Sequence, residues 1–290
     1  MRELLDLLTH EPGLAAVSLG VFGLLIGSFL NVVIHRMPKI MEAMHVADCA
    51  STADEWVVPQ RTWRYLVTPG SACPKCGHVL RWYENIPVVS WVFLKARCSN
   101  CKTPIALRYP LVEVLGGLSG VFAVLAFGPT AKALAAFAFL LILITLAFID
   151  ADTQLLPDDL TLPLLWLGLI VNIGGMFVPL SDAVIGAIAG YMVLWTVYWL
   201  FKLLTGKEGM GYGDFKLLAA LGAWFGWQAL PAVILASSVV GAVLGGLMML
   251  LARLGRGQQF PFGPYLAGAG AVVLFCGPAI NAWYLGLLTR

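Results

Sequence analysis

The apolar positions of this chain gather into long runs separated by short polar breaks. A helix needs about 20 apolar residues to cross the ~30 Å hydrocarbon core of a bilayer. Runs of that kind fall near 13–34, 111–128, 130–149, 160–178, 183–204, 215–229, 230–251 and 262–288. The sixth is short, and its border with the seventh is marked only by Pro231. The pattern predicts an all-α polytopic membrane protein with about eight transmembrane helices. It also predicts three divisions: a first transmembrane helix at 1–34, a small polar insertion at 35–110, and a transmembrane domain at 111–290.

Composition sharpens that picture. Hydrophobic residues make up 60% of the 290 and charged residues 12%, against about 25% charged in soluble domains. The formal charge is only +2 and no aromatic–basic pattern occurs, so nothing points to nucleic acid. Lys and Arg concentrate on cytoplasmic loops. With 35–110 placed inside, eight alternating spans put fifteen of the 18 Lys/Arg on that side and leave Arg2, Lys132 and Arg290 outside. Both ends of the chain then face outward, and the breaks at 150–159 and 205–214 share the cytoplasmic side. The residues Arg2, Glu3, Asp6 and Glu11 form no basic leader, and the first run ends in Gly27-Ser28-Phe29-Leu30-Asn31 without an A-x-A site. It reads as a retained anchor.

The insertion is small for a domain, and segments of that size need a staple. One is offered by Cys73-Pro74-Lys75-Cys76 and Cys98-Ser99-Asn100-Cys101. Paired CxxC knuckles suit a closed tetrahedral zinc site without an open catalytic position. A redox dithiol and an iron–sulfur site are the competing readings. Cys49 and Cys276 have no partner at metal spacing, and His10, His35 and His45 are scattered. His78 follows the first knuckle, but four thiolates already satisfy the metal.

Acidic residues cluster at two breaks. Phe148-Ile149-Asp150-Ala151-Asp152 leads on to Asp158 and Asp159, and Gly209-Met210-Gly211-Tyr212-Gly213-Asp214-Phe215-Lys216 sets one carboxylate behind three alternating glycines. The glycines permit sharp turns and the close approach of another backbone. The plain readings are that Asp158 and Asp159 complement the next helix and that Asp214 caps its own. Asp150 differs, because it continues an apolar run and lies at membrane depth, where ionisable groups mark function. Asp150 and Asp214 are the candidate catalytic pair. Sharing one proton, they would act as acid and base on a water molecule, the chemistry of aspartyl proteases. Asp152, Asp158 and Asp159 have no Lys or Arg among them, and exposed charges of one sign steer encounter with an oppositely charged partner.

These motifs together resemble the bacterial type IV prepilin peptidases, the bifunctional leader peptidases and N-methyltransferases of pilus and type II secretion systems. The resemblance runs almost end to end. It includes Gly27 to Val33 with Arg36 and Pro38, both CxxC pairs with Glu84-Asn85-Ile86-Pro87 between them, Arg108 to Glu113, Ile149 to Asp152, Gly209 to Lys216, and Pro261-Phe262-Gly263-Pro264. It implies a GxGD intramembrane aspartyl protease of the inner membrane, with its pair at Asp150 and Asp214 facing the cytoplasm. It further implies removal of a short basic leader after a glycine from prepilins and pseudopilins, then methylation of the new N-terminus from S-adenosylmethionine. The site for that donor is not assigned by the sequence. Gly27, Asn31, Glu84, Asn85 and Glu113 are polar or small residues near the cytoplasmic face, each with an equal reading as helix packing or capping.

The alternative is a proton- or cation-coupled transporter, since intramembrane acids also line ion pathways. It would place them at midplane, whereas both clusters fall at span ends. A zinc metalloprotease is excluded, because no HExxH occurs and a four-cysteine site leaves no position for water.

Overall fold

Hydrocarbon offers the backbone no hydrogen bonds, so apolar runs of this length satisfy their own by forming helices. The computed structural model describes residues 11–50, 66, 68–207, 209–250 and 261–288, and each of the eight predicted runs is helical in it. In chain order the helices are α1 (Pro12–Ala50), α2 (Val89–Phe93), α3 (Arg108–Phe127), α4 (Ala131–Thr153), α5 (Asp158–Asn172), α6 (Leu180–Thr205), α7 (Tyr212–Phe225), α8 (Leu230–Leu250) and α9 (Gly263–Leu288). Among the described residues, five are long and apolar enough to cross a membrane: α1, α3, α4, α6 and α8. Among the described residues no strand forms beyond two isolated bridges, Ala72 with Val79 and Arg97 with Pro104. Arg2, Glu3, Asp6, His10, Asp54, Glu55, Arg61, Arg64, Arg253, Arg256 and Arg290, used in the charge and histidine readings, lie outside the described residues, as do the side chains of Asp48 and Cys49.

Element borders differ from the hydropathy reading in three places. The first helix runs on past Ile34 to Ala50. The fourth stops at Asn172, and its predicted extension to 178 is a turn through Gly175 at φ +66°. The sixth and seventh part at Gly226, and Pro231 sits in the first turn of α8, where a missing N–H costs nothing.

The chain divides into two compact units, Met1–Thr145 and Leu146–Arg290, with the division inside α4. In the first, α1 packs along α3. Their backbones nearly touch: a Cβ on Gly23 or on Gly116 would run into the other's backbone, and one on Gly27 would lie 2.7 Å from Glu113 Cα. Without a hydrophobic drive between helices in lipid, such close approach supplies the packing.

In the second unit α7 is the centre, packed by α5, α6, α8 and α9. Its 14 residues span only about 21 Å, less than a bilayer core, but Asp214, Phe215 and every residue from Leu217 to Phe225 are buried. Gly186 and Gly222 bring α6 and α7 into backbone contact. At one end Asn172, fully buried, donates to the carbonyls of Ala223 and Trp224 and accepts from the N–H groups of Phe177 and Val178. At the other, Phe215 meets the rings of Tyr191, Tyr198 and Tyr212 at centroid distances of 5.9, 5.6 and 5.4 Å. The helix is thus held at both ends. Asn172→Ala leaves buried backbone groups unpaired, and a loss of about 1–3 kcal/mol is expected, read as earlier thermal unfolding in detergent.

Candidate active site and metal centre

Asp150 lies in the last turn of α4, and its side chain is buried at 4% exposure. The helix ends because Gln154 turns to φ +56° while its N–H bonds the Asp150 carbonyl. A carboxylate near a helix C-terminus meets the negative end of the dipole. Compensation comes from another element: the N–H of Gly263, first residue of α9, donates to Asp150 Oδ2 at 2.9 Å.

Asp214 lies in the first turn of α7, the favourable end for an acid. It is not the N-cap. That position belongs to Gly211, no side chain caps the helix, and Asp214 Oδ1 is buried without a hydrogen-bond partner. Buried polar atoms of this kind are rare and call for an explanation. Asp150 and Asp214 line one cavity of about 340 Å³ and lie within electrostatic reach of each other. Gln154, Leu156, Met210 and Phe262 share its wall.

The three glycines before Asp214 serve differently from the sequence reading. None has a positive φ. A Cβ on Gly213 would lie 2.6 Å from Leu156 Cβ, and one on Gly209 would lie 2.9 Å from the Phe201 ring, so both are packed by this chain's own side chains. Only at Gly211 is there room. Asp158, read as a steering charge, is taken by Lys216, whose Nζ donates to both carboxylate oxygens at 2.6 and 2.8 Å. This bridge joins the starts of α5 and α7. Asp158 therefore serves as a tie rather than a loose charge, although an exposed pair is worth only about 0–1 kcal/mol.

The four predicted metal ligands come together in the first unit. The sulfurs of Cys73, Cys76, Cys98 and Cys101 all lie within 4.8 Å of one another, a group able to hold a metal ion. Cys73 to Cys101 is 3.7 Å and Cys76 to Cys98 is 4.0 Å. The two knuckles repeat one design. Cys73 N–H bonds the His78 carbonyl and Gly77 N–H bonds the Cys73 carbonyl, while Cys98 and Lys102 do the same with Thr103 and Cys98. The fifth position is left-handed in each, at φ +68° for Gly77 and +57° for Lys102. Thr103, through its hydroxyl and its N–H, draws the Cys101 thiol down to about 6, toward the thiolate that binds metals. His78 points elsewhere, to Glu84 at 3.1 Å. The Arg81 N–H, the Ser99 side chain and His78 hold the Glu84 carboxyl near 2, so it stays charged.

The methyl-donor candidates are largely committed to the protein itself. Gly27 is pressed on Glu113, Asn31 donates to the Tyr109 carbonyl at 3.0 Å, and Glu84 is bonded as above. Glu113 accepts from Val88 N–H at 2.8 Å. Asn85 lines a cavity of about 260 Å³ with Ser28 and Arg36, but the Arg36 guanidinium is bonded to the carbonyls of Leu66 and Pro69. The residue sequence reasoning left without a role is Gly263. Its signal was the Pro-Phe-Gly-Pro break at the start of the last span.

Fold and site define a helical membrane protein with two buried carboxylates on one cavity and a four-thiol group able to hold a metal ion. Residues 21–127 match the bacterial peptidase A24 N-terminal domain, and residues 137–246 match the type IV leader peptidase family. Proteins named prepilin leader peptidase/N-methyltransferase are similar over nearly the whole chain. That of Aeromonas salmonicida (strain A449) is 52% identical over 290 residues, covering 99% of this chain and 100% of its own. That of Pseudomonas aeruginosa is 52% identical over 282 residues, 97% of each, and that of Stutzerimonas stutzeri is 54% identical over 269, covering 91% and 92%. The chain belongs to the type IV leader peptidase family. No solved structure matches it.

Structural metal sites contribute folding free energy outright. Cys73→Ser or Cys98→Ser is therefore expected to open the segment around the knuckles to limited proteolysis. Metal analysis of the intact protein should find one tightly held ion per chain, and less than that would count against the four-thiol site.

Proposed function

We propose that this chain cleaves the short basic leader from type IV prepilins and type II pseudopilins with an aspartyl pair, Asp150 and Asp214, and then N-methylates the new N-terminus. The observation that carries this reading is the shared cavity: two acids from different helices line it, and one buried oxygen of Asp214 is left unbonded. The relatives' names supply the substrate class. The positive-inside bias supports an inner-membrane protein whose peptidase site opens to the cytoplasm.

The chemistry follows from two carboxylates with one proton between them. The ionised member takes a proton from water as the water oxygen bonds to the scissile carbonyl carbon. The protonated member gives its proton to the carbonyl oxygen. The tetrahedral intermediate then collapses: the C–N bond breaks, the amine leaves with the proton first taken from water, and one hydroxyl returns its proton to the other carboxylate, so the product is a carboxylic acid and the pair again holds one proton. An amide in place of either acid cannot carry that proton.

Zinc is the ion we assign to Cys73, Cys76, Cys98 and Cys101. Zinc–sulfur bonds of about 2.3 Å in a tetrahedron set sulfurs about 3.8 Å apart, in keeping with the 3.7 and 4.0 Å found. With four thiolates on the ion, its part is to staple the predicted cytoplasmic module 35–110 and not to activate water. S-adenosylmethionine is the donor implied by the methyltransferase activity. Gly27, Asn31, Glu84 and Glu113 are each engaged by the protein's own atoms, and Asn85 lines the cavity of about 260 Å³.

Asp150→Asn and Asp214→Asn are each expected to abolish leader cleavage by the purified protein while insertion and folding persist. Brief EDTA treatment should leave cleavage intact. Full cleavage by either variant would rule out the pair as assigned.

A further inference from the structure

The break before α9 has no part in the scheme above, yet it reaches the same cavity. Pro261 and Phe262 line the wall, and Gly263 follows them. The Gly263 N–H bond to Asp150 Oδ2 is buried and joins residues 113 positions apart. A Cβ on Gly263 would lie 2.7 Å from Asp150 Oδ2, 2.9 Å from Cγ and 3.2 Å from Cβ. The whole Asp150 side chain thus rests on the bare face of this glycine. Because even its Cβ, fixed to the α4 backbone, is close, rotating the carboxylate away would not relieve the contact. The two acids differ in this respect. Asp150 has one oxygen fixed by a backbone amide from another helix, whereas Asp214 takes a backbone amide only from Gly211 beside its own helix start and leaves Oδ1, on a residue only 7% exposed, without a partner.

We propose that Gly263 is a positioning residue for hydrolysis: its amide fixes Asp150 Oδ2, and its missing Cβ leaves room for the carboxylate to hold that orientation beside Asp214. The inference rests on Asp150 and Asp214 being the catalytic pair. Gly263 touches neither water nor peptide in this scheme and acts through Asp150. A positive φ is not the reason for glycine here, since none is adopted. Alanine is also the better helix former. The constraint at position 263 is the carboxylate.

The test is Gly263→Ala in the full-length protein, assayed with a prepilin. A misplacement of about 1 Å in a catalytic group costs about 10²-fold, so kcat should fall by about that factor with KM within twofold. Methylation of an already cleaved pilin should be unchanged, which reports an intact fold. Gly268→Ala is the control, because its Cβ on the same helix meets nothing within 4 Å, and it should keep wild-type kcat. A Gly263→Ala enzyme with kcat within twofold of wild type, alongside an inactive Asp150→Ala, would overturn the proposal. An active Asp150→Ala would instead remove the pair itself. Should Gly263→Ala fail to insert, hydrogen exchange decides the matter. The Gly263 amide should exchange at least tenfold faster in Asp150→Ala than in wild type, and equal rates would overturn the proposal.

Discussion

Taking two carboxylates out of water inside a bundle of apolar helices is the constraint that the second unit is arranged to meet. A buried acid without hydrogen bonds or a compensating dipole is costly. Asp214 gains from its place in the first turn of α7, at the positive end of that helix. Asp150 stands near the unfavourable end of α4 and takes an amide from the start of α9 instead. The pair is thus supported by two helix N-termini that come from different parts of the chain.

That arrangement bears on where α7 begins, because Asp214 in its first turn lines the same cavity as the carboxylate of α4. The helix survives at 14 residues because it faces protein on nearly all sides. Trp224 is clamped by Gly168 and donates to the Leu164 carbonyl at 2.8 Å, while the tyrosines around Phe215 brace the opposite end. Rigid packing on both sides of an acid keeps it where chemistry needs it, and loops alone would not.

Much of this was legible in the sequence, and the exceptions have physical causes. Each hydropathy run became a helix because hydrocarbon leaves the backbone no other choice. The cysteine spacing pointed to a four-thiol group, and the four sulfurs do converge into one able to hold a metal ion. Asp150 could be singled out because it extends an apolar run. What hydropathy cannot report is the partner across space. It gave Asp158 as a loose charge, whereas Lys216 from another helix holds it. Of its two readings of Asp214, helix cap and half of the acidic pair, the first fails because Gly211 occupies the cap. It ran α5 on to residue 178, because Ile173, Met176, Phe177 and Val178 are apolar although the backbone turns at Gly175.

The glycines make the same point most sharply, because one residue type answers to three different demands here. Gly77 supplies a left-handed turn in a metal knuckle, yet Lys102 fills the equivalent position, so the conformation and not the residue is what that turn requires. Gly23, Gly116, Gly186 and Gly222 serve helix crossings in which backbone meets backbone. Gly213 and Gly263 leave space for a side chain, Leu156 in one case and Asp150 in the other. Sequence spacing separates the first two kinds, through CxxCG and the small-residue ridges of apolar helices. It has no signature for the third, because the side chain that fills the gap lies tens of residues away. A glycine facing a carboxylate is therefore read only from structure. That is how position 263, at the start of the last helix, comes to bear on an acid at the end of α4.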